Sequence, residues 1–157
     1  MLKWVALQVE TRLPMHERCA HIKGRGGGRQ SVGEVWRALA SGQFSFVYRT
    51  DIRGYYRHIR KEQLLSLVRQ HIDDPVLTDL VEQYLYYCVE DGGDIFTPAH
   101  GICRGCALSP LMGAALLYHV DDHFSAQGNI FYTALYGRFC VANSYALAIA
   151  TLRKTTA

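Results

Sequence analysis

The chain has 157 residues, a formal net charge of +3, 49% apolar and 20% charged residues. By length this is one domain with enough apolar content to bury a core, and no apolar run approaches the ~20 residues of a membrane-spanning helix. The mild positive charge admits a polyanionic partner without demanding one. Five cysteines, an odd number, and an N-terminal segment that meets a charge too early for a secretory leader together fit a reducing compartment, so the expected location is the cytoplasm.

Residues 1–20 carry weak signals and are expected to be partly disordered. His21-Ile-Lys-Gly-Arg-Gly-Gly-Gly-Arg29 is a basic, glycine-rich turn. No Gly-Lys-Ser/Thr follows it, so it is not a Walker loop. Its amides, with Lys23, Arg25 and Arg29, are able to cradle phosphates, although a solvated loop explains the composition slightly better on residues alone. A short helix is expected over Ser31–Leu39, with Ser31 as N-cap, Glu34 completing a capping box, and Val32, Val35, Trp36 and Leu39 forming the apolar face. Phe44–Thr50 is aromatic and β-branched and reads as a strand.

Helical spacing recurs in Leu64, Leu65, Val68 and Ile72. Asp74-Pro75 then opens another helix, with Leu77, Leu80, Val81, Tyr84, Leu85 and Cys88 along one side. Asp91-Gly-Gly is a turn. Cys103 and Cys106 form a Cys-x-x-Cys behind His100, which reads as half a zinc site or a redox pair, but no second such pair exists to complete a zinc site. Ser109-Pro110 is expected to cap a long helix that runs on through Asp121-Asp122, where the two carboxylates form a solvated helix end. Asn129–Tyr132 starts a strand.

Two stretches carry chemistry. Asp51 ends an apolar strand, with Tyr55 and Tyr56 just beyond it, and Gly101-Ile-Cys-Arg-Gly-Cys-Ala-Leu-Ser-Pro110 is a glycine-rich turn feeding a helix. In this order and spacing they resemble the palm of reverse transcriptases of the bacterial group II intron-like branch, over roughly residues 20–133. The fold this implies is mixed α/β (α+β), an incomplete fingers–palm. Residues 1–30 would be a fingers-like basic segment, 31–133 a palm fragment and 134–157 a tail outside the family pattern. The implied activity is RNA-directed DNA synthesis from a dNTP on an RNA template and DNA primer. Two Mg²⁺ ions would activate the attacking oxygen and stabilise the leaving one.

The resemblance assigns roles. Asp51 would bridge both metals and the Ile52 carbonyl would add a ligand. Tyr56 would lie under the incoming sugar, although a core tyrosine explains it equally well. Gly105 would let the backbone approach the nucleotide, with Arg104 standing where relatives carry glutamine. Lys23, Arg25 and Arg29 would contact nucleic acid or triphosphate.

The family's aromatic-x-Asp-Asp hairpin is missing. Near residue 136 the chain has Leu135-Tyr136-Gly137-Arg138-Phe139. These residues can be encoded CTT TAT GGA CGA TTT, which one base later contains TTT ATG GAC GAT, or Phe-Met-Asp-Asp. The same shift turns residues through Lys154 into a segment similar to the family's next strand and Thr-Arg-Trp helix. Residues 134–157 are therefore expected to be out-of-frame peptide whose apolar content is accidental. The expected protein is an inactive fragment. The alternatives are a non-catalytic nucleic-acid-binding remnant and a small Cys/His metal-binding protein.

Overall fold

The computed structural model describes residues 1–143. In chain order the elements are helix α1 (Leu2–Glu10), α2 (Gly27–Ala40), strand β1 (Phe46–Asp51), α3 (Tyr55–His58), α4 (Lys61–His71), α5 (Pro75–Leu85), β2 (Val89–Asp91), β3 (Asp94–Phe96), α6 (Ser109–Leu116), α7 (Tyr118–Ser125), β4 (Ile130–Leu135) and β5 (Arg138–Asn143). The described residues form two compact units: 1–15 with 53–116, and 16–52 with 117–143. The expected mixture of helix and strand is present, and among the described residues no helix is long and apolar enough to cross a membrane.

The first unit is helical, with a short β2–β3 hairpin whose Asp91 pairs with Asp94. Leu64, Leu65, Val68 and Ile72 are all buried, as their spacing predicts. Asp74 caps α5, its carboxylate accepting the N–H groups of Val76 and Leu77 at 2.9 and 3.1 Å. Leu77, Val81, Tyr84 and Leu85 are buried, whereas Cys88 lies beyond the helix and is exposed. The expected disorder at the N-terminus is corrected: α1 forms and buries Val5, Ala6 and Val9, packing on α5 and α6. Three apolar residues at helical spacing in a nine-residue segment gave too short a window for the periodicity to stand out.

The second unit is a three-stranded antiparallel sheet in the order β1-β5-β4. In register, Asp51 faces Arg138 across β1–β5 and Leu135 faces Arg138 across β4–β5. Helix α7 covers β4, and Val120, Phe124, Tyr132, Ala134, Phe139 and Val141 form one core cluster.

Two expectations fail here. Helix α2 starts four residues before Ser31, after Gly26 in the left-handed region. Ser31 is therefore interior; it is buried and its hydroxyl lies 3.1 Å from that of Thr133 on β4. The small Gly28 and Ser31 face the sheet, and a Cβ at Gly28 would sit 3.6 Å from Leu135. The apolar row Val32, Trp36 and Leu39 is exposed instead.

Second, the helix after Ser109 is not continuous. It breaks at Leu117, and the Ser109 hydroxyl donates back to the Cys106 carbonyl at 3.0 Å rather than capping.

A strand-turn-strand forms where the Asp-Asp hairpin would stand, and it lacks the two carboxylates, as the sequence indicates. Residues 134–143 complete β4 and build β5, the central strand. Residues 144–157 of the expected out-of-frame tail lie outside the described residues.

Candidate functional site

Asp51 ends β1 because Gly54, with φ at 63°, turns the chain two residues after Ile52. Its carboxylate accepts the Arg138 Nε–H at 2.9 Å, and both side chains remain more than half exposed, at 52% and 58%. The Ile52 N–H donates to the Gly137 carbonyl at 3.0 Å, and its side chain packs on the core cluster. Asp51 and Ile52 are therefore held against the β4–β5 turn.

That turn is two residues long, with Tyr136 at φ 51° and Gly137 at φ 76°. Two successive left-handed residues match the tight hairpin turn that suits the sheet's twist. Gly137 adopts this freely, whereas for Tyr136 it costs about 1–3 kcal/mol. Local support comes from His21. Its Nδ1 accepts the Tyr136 N–H at 3.1 Å, and its ring stacks on the tyrosine with centroids 4.4 Å apart and planes at 27°. The Cys19 sulfur lies 3.3 Å from the same nitrogen. Burial pushes that thiol up to about 12, so Cys19 stays an uncharged thiol.

The basic loop belongs to the same unit. Lys23 and Arg29 are exposed, while Arg25 is half-buried and donates to the His16 carbonyl. Two loop amides are used internally: Arg25 N–H to Ile22 and Gly27 N–H to Ala20, at 3.1 and 3.0 Å. A cavity of about 310 Å³ beside the loop is lined by Arg18 and Arg25 but also by Glu17 and Glu34. Mixed charge there opposes a phosphate cradle and favours Lys23 and Arg29 as the outward-facing cations.

The remaining predicted residues fall in the other unit. The Tyr55 hydroxyl donates to the Gly113 carbonyl at 2.7 Å. Tyr56 is half-buried, and a Cβ at Gly113 would come within 3.0 Å of its hydroxyl, so both rings rest on a glycine of α6. Gly101, at φ 85°, lies so close to the chain that a Cβ would meet the Arg57 carbonyl at 2.8 Å. Gly105, at φ 81°, has open space where a Cβ would point, and Arg104 beside it is exposed. The Tyr84 hydroxyl fixes the turn by donating to the Cys103 carbonyl at 3.0 Å.

Asp121 corrects the expectation of a solvated helix end. It is 1% exposed and accepts the Tyr132 hydroxyl through Oδ1. Burial raises its carboxyl to about 6, although the Tyr132 hydrogen bond pulls the other way. Asp122, its neighbour, is exposed. Among the described residues no group of three or more His, Cys, Asp or Glu side chains is placed to hold a metal. Asp51 has a guanidinium, not a second carboxylate, as its neighbour, and this donor set does not fit a pair of Mg²⁺ ions.

His21 and Arg138 were not singled out from sequence as parts of one site. Gly137 between two aromatic and β-branched runs was a partial turn signal, but Tyr136 is not a residue that favours the left-handed first position; the His21 contact, from 115 residues away, left no signal.

No family model matches the chain, and no curated protein matches it. Among solved structures it is similar to a partial Cas6-RT-Cas1–Cas2 complex and to a Cas6-RT-Cas1–Cas2 complex. Each match has 19% identity and a TM-score of 0.41 over 83% of this chain. The chain spans 24% and 15% of the length of those two chains.

Proposed function

We propose that the chain is a reverse-transcriptase palm of the group II intron-like kind that no longer catalyses and that retains binding to nucleic acid. The Asp51–Arg138 pair carries this reading. Asp51 ends a strand beside a two-residue hairpin turn, the arrangement from which polymerase carboxylates converge on metals, but Arg138 occupies the neighbouring position. A cation at 2.9 Å neutralises the one matched carboxylate and repels a second cation. Template-directed transfer needs the two-metal clamp, so the ancestral reaction with RNA template, DNA primer and dNTP does not proceed here. A shift of reading frame near the Ala134 codon accounts for Gly137-Arg138 standing in place of two aspartates. Lys23, Arg29 and Arg104 are exposed and supply counter-charges for phosphates.

The test combines primer extension with filter retention. The chain should give no Mg²⁺-dependent extension and should retain RNA in a manner that weakens steeply with salt. Restoring the downstream frame should recover synthesis, and Asp51→Asn in that repaired protein should abolish it. Extension by the unrepaired chain, or an absence of any RNA retention, would overturn the reading.

A further inference from the structure

We infer that the Tyr136 ring, braced by His21 and flanked by Arg138, is a stacking platform for an unpaired nucleobase. This rests on the nucleic-acid-binding reading above and assigns it a contact point.

Three independent observations converge on this spot. Tyr136 is 48% exposed, yet it is not a loosely attached surface ring, because His21 stacks on it at 4.4 Å and accepts its N–H. Its backbone is held at φ 51°, and it is the one non-glycine with positive φ among the described residues. The two-residue turn demands this backbone, so the direction of the ring is set by the hairpin and not by a mobile loop. Two residues along, Arg138 is held by Asp51 through Nε and leaves 58% of its side chain to solvent.

A fixed aromatic face with a guanidinium beside it is what single-stranded nucleic acid uses: the base stacks and its phosphate meets the cation. The brace matters because a ring already immobilised loses little further freedom on binding. Stacking is tolerant of base identity, so the site should not discriminate sequence. Only Nε of Arg138 is committed to Asp51, so the remaining guanidinium N–H groups are what the site offers a phosphate oxygen.

The probe is a fluorescein-labelled oligouridine, titrated without divalent cation and compared with the same oligomer carrying abasic residues. Tyr136→Asn removes the ring while keeping a residue that tolerates the left-handed region, and Tyr136→Phe keeps the ring. Base–aromatic stacking contributes ~1–3 kcal/mol, so Tyr136→Asn should weaken oligouridine binding about 5- to 150-fold. Tyr136→Phe should bind as the parent does. The abasic oligomer should bind the parent and Tyr136→Asn equally. Unchanged thermal midpoints would show that the fold is kept; if Tyr136→Asn lowers its midpoint, the Phe variant and the abasic comparison decide. Salt-sensitive binding that ignores both Tyr136→Asn and loss of the bases overturns this inference and leaves the function reading standing. Absence of all binding overturns that reading instead.

Discussion

The two units hide their interiors by different rules. The helical unit buries mostly apolar side chains at helical spacing; its buried polar residues are Ser109 and Lys61, the latter with Nζ 5.3 and 4.9 Å from the Tyr86 and Tyr87 ring centroids. The sheet unit buries Ser31, Asp121, Thr133 and Asn143. In the first, a residue's position in a local pattern decides its burial. In the second, burial is decided by what arrives from far along the chain: the Ser31 hydroxyl meets that of Thr133 across 102 residues. Polar residues can stay inside a sheet core when a partner satisfies them, and local periodicity carries no trace of that partner.

The comparison breaks most readily on the apolar side. Leu64 is 0% exposed, and Leu64→Ala should cost about 2–5 kcal/mol through lost transfer energy and a residual cavity. Chemical denaturation would measure it, and a loss below about 1 kcal/mol would mean the helical core collapses around the gap.

Asp121 gives the next effect, and a pH profile reads it. The folded carboxyl sits at about 6 against an ordinary 3.8, so the folded state holds the proton more tightly than the unfolded chain does. The contribution is fully present below about 4 and is lost as pH rises through about 6. Two pH units correspond to about 3 kcal/mol. Asp121→Asn should flatten the difference between pH 4 and pH 7, leaving a variant more stable than the parent at neutral pH. Parallel profiles for the two proteins would show that the carboxylate is solvated.

Ser31→Ala sharpens the contrast at smaller scale. It leaves the buried Thr133 hydroxyl without its partner at 3.1 Å and should cost about 1–2 kcal/mol. The double change with Thr133→Val should recover much of that, whereas a solvated N-cap would show no coupling to position 133.

How much was legible follows the same division. The α4 and α5 faces, the Asp74 cap and the β1 strand could be read because each signal lies within a dozen residues. Ser31 reads as a cap because Ser-x-x-Glu has the form of a capping box and the glycines before it have the composition of a loop. They instead admit the helix early and let it lie close to the sheet. Asp121 was misread because a charged pair at the end of an apolar run usually faces water; only the Tyr132 hydroxyl, delivered by the returning strand, makes its burial tolerable. At the candidate site Asp51 was found through its strand and its neighbours. The cation upon it stands 87 residues away and was visible only as a missing carboxylate.

The strand order has a consequence for how the protein is made. In β1-β5-β4 the last strand described is the middle one, so β1 has no strand partner until β5 is synthesised. Asp51 and Arg138 are 87 residues apart, which at ~5–20 residues per second is about 4–17 s of translation. For that interval β1 offers Phe46, Val47 and a row of unpaired amides and carbonyls to any passing strand. The helices α4 and α5, whose contacts are local, can pair well before then. Slowing elongation after codon 51 should therefore raise the fraction of chains lost to association, and a chaperone that shields an extended segment should reduce it.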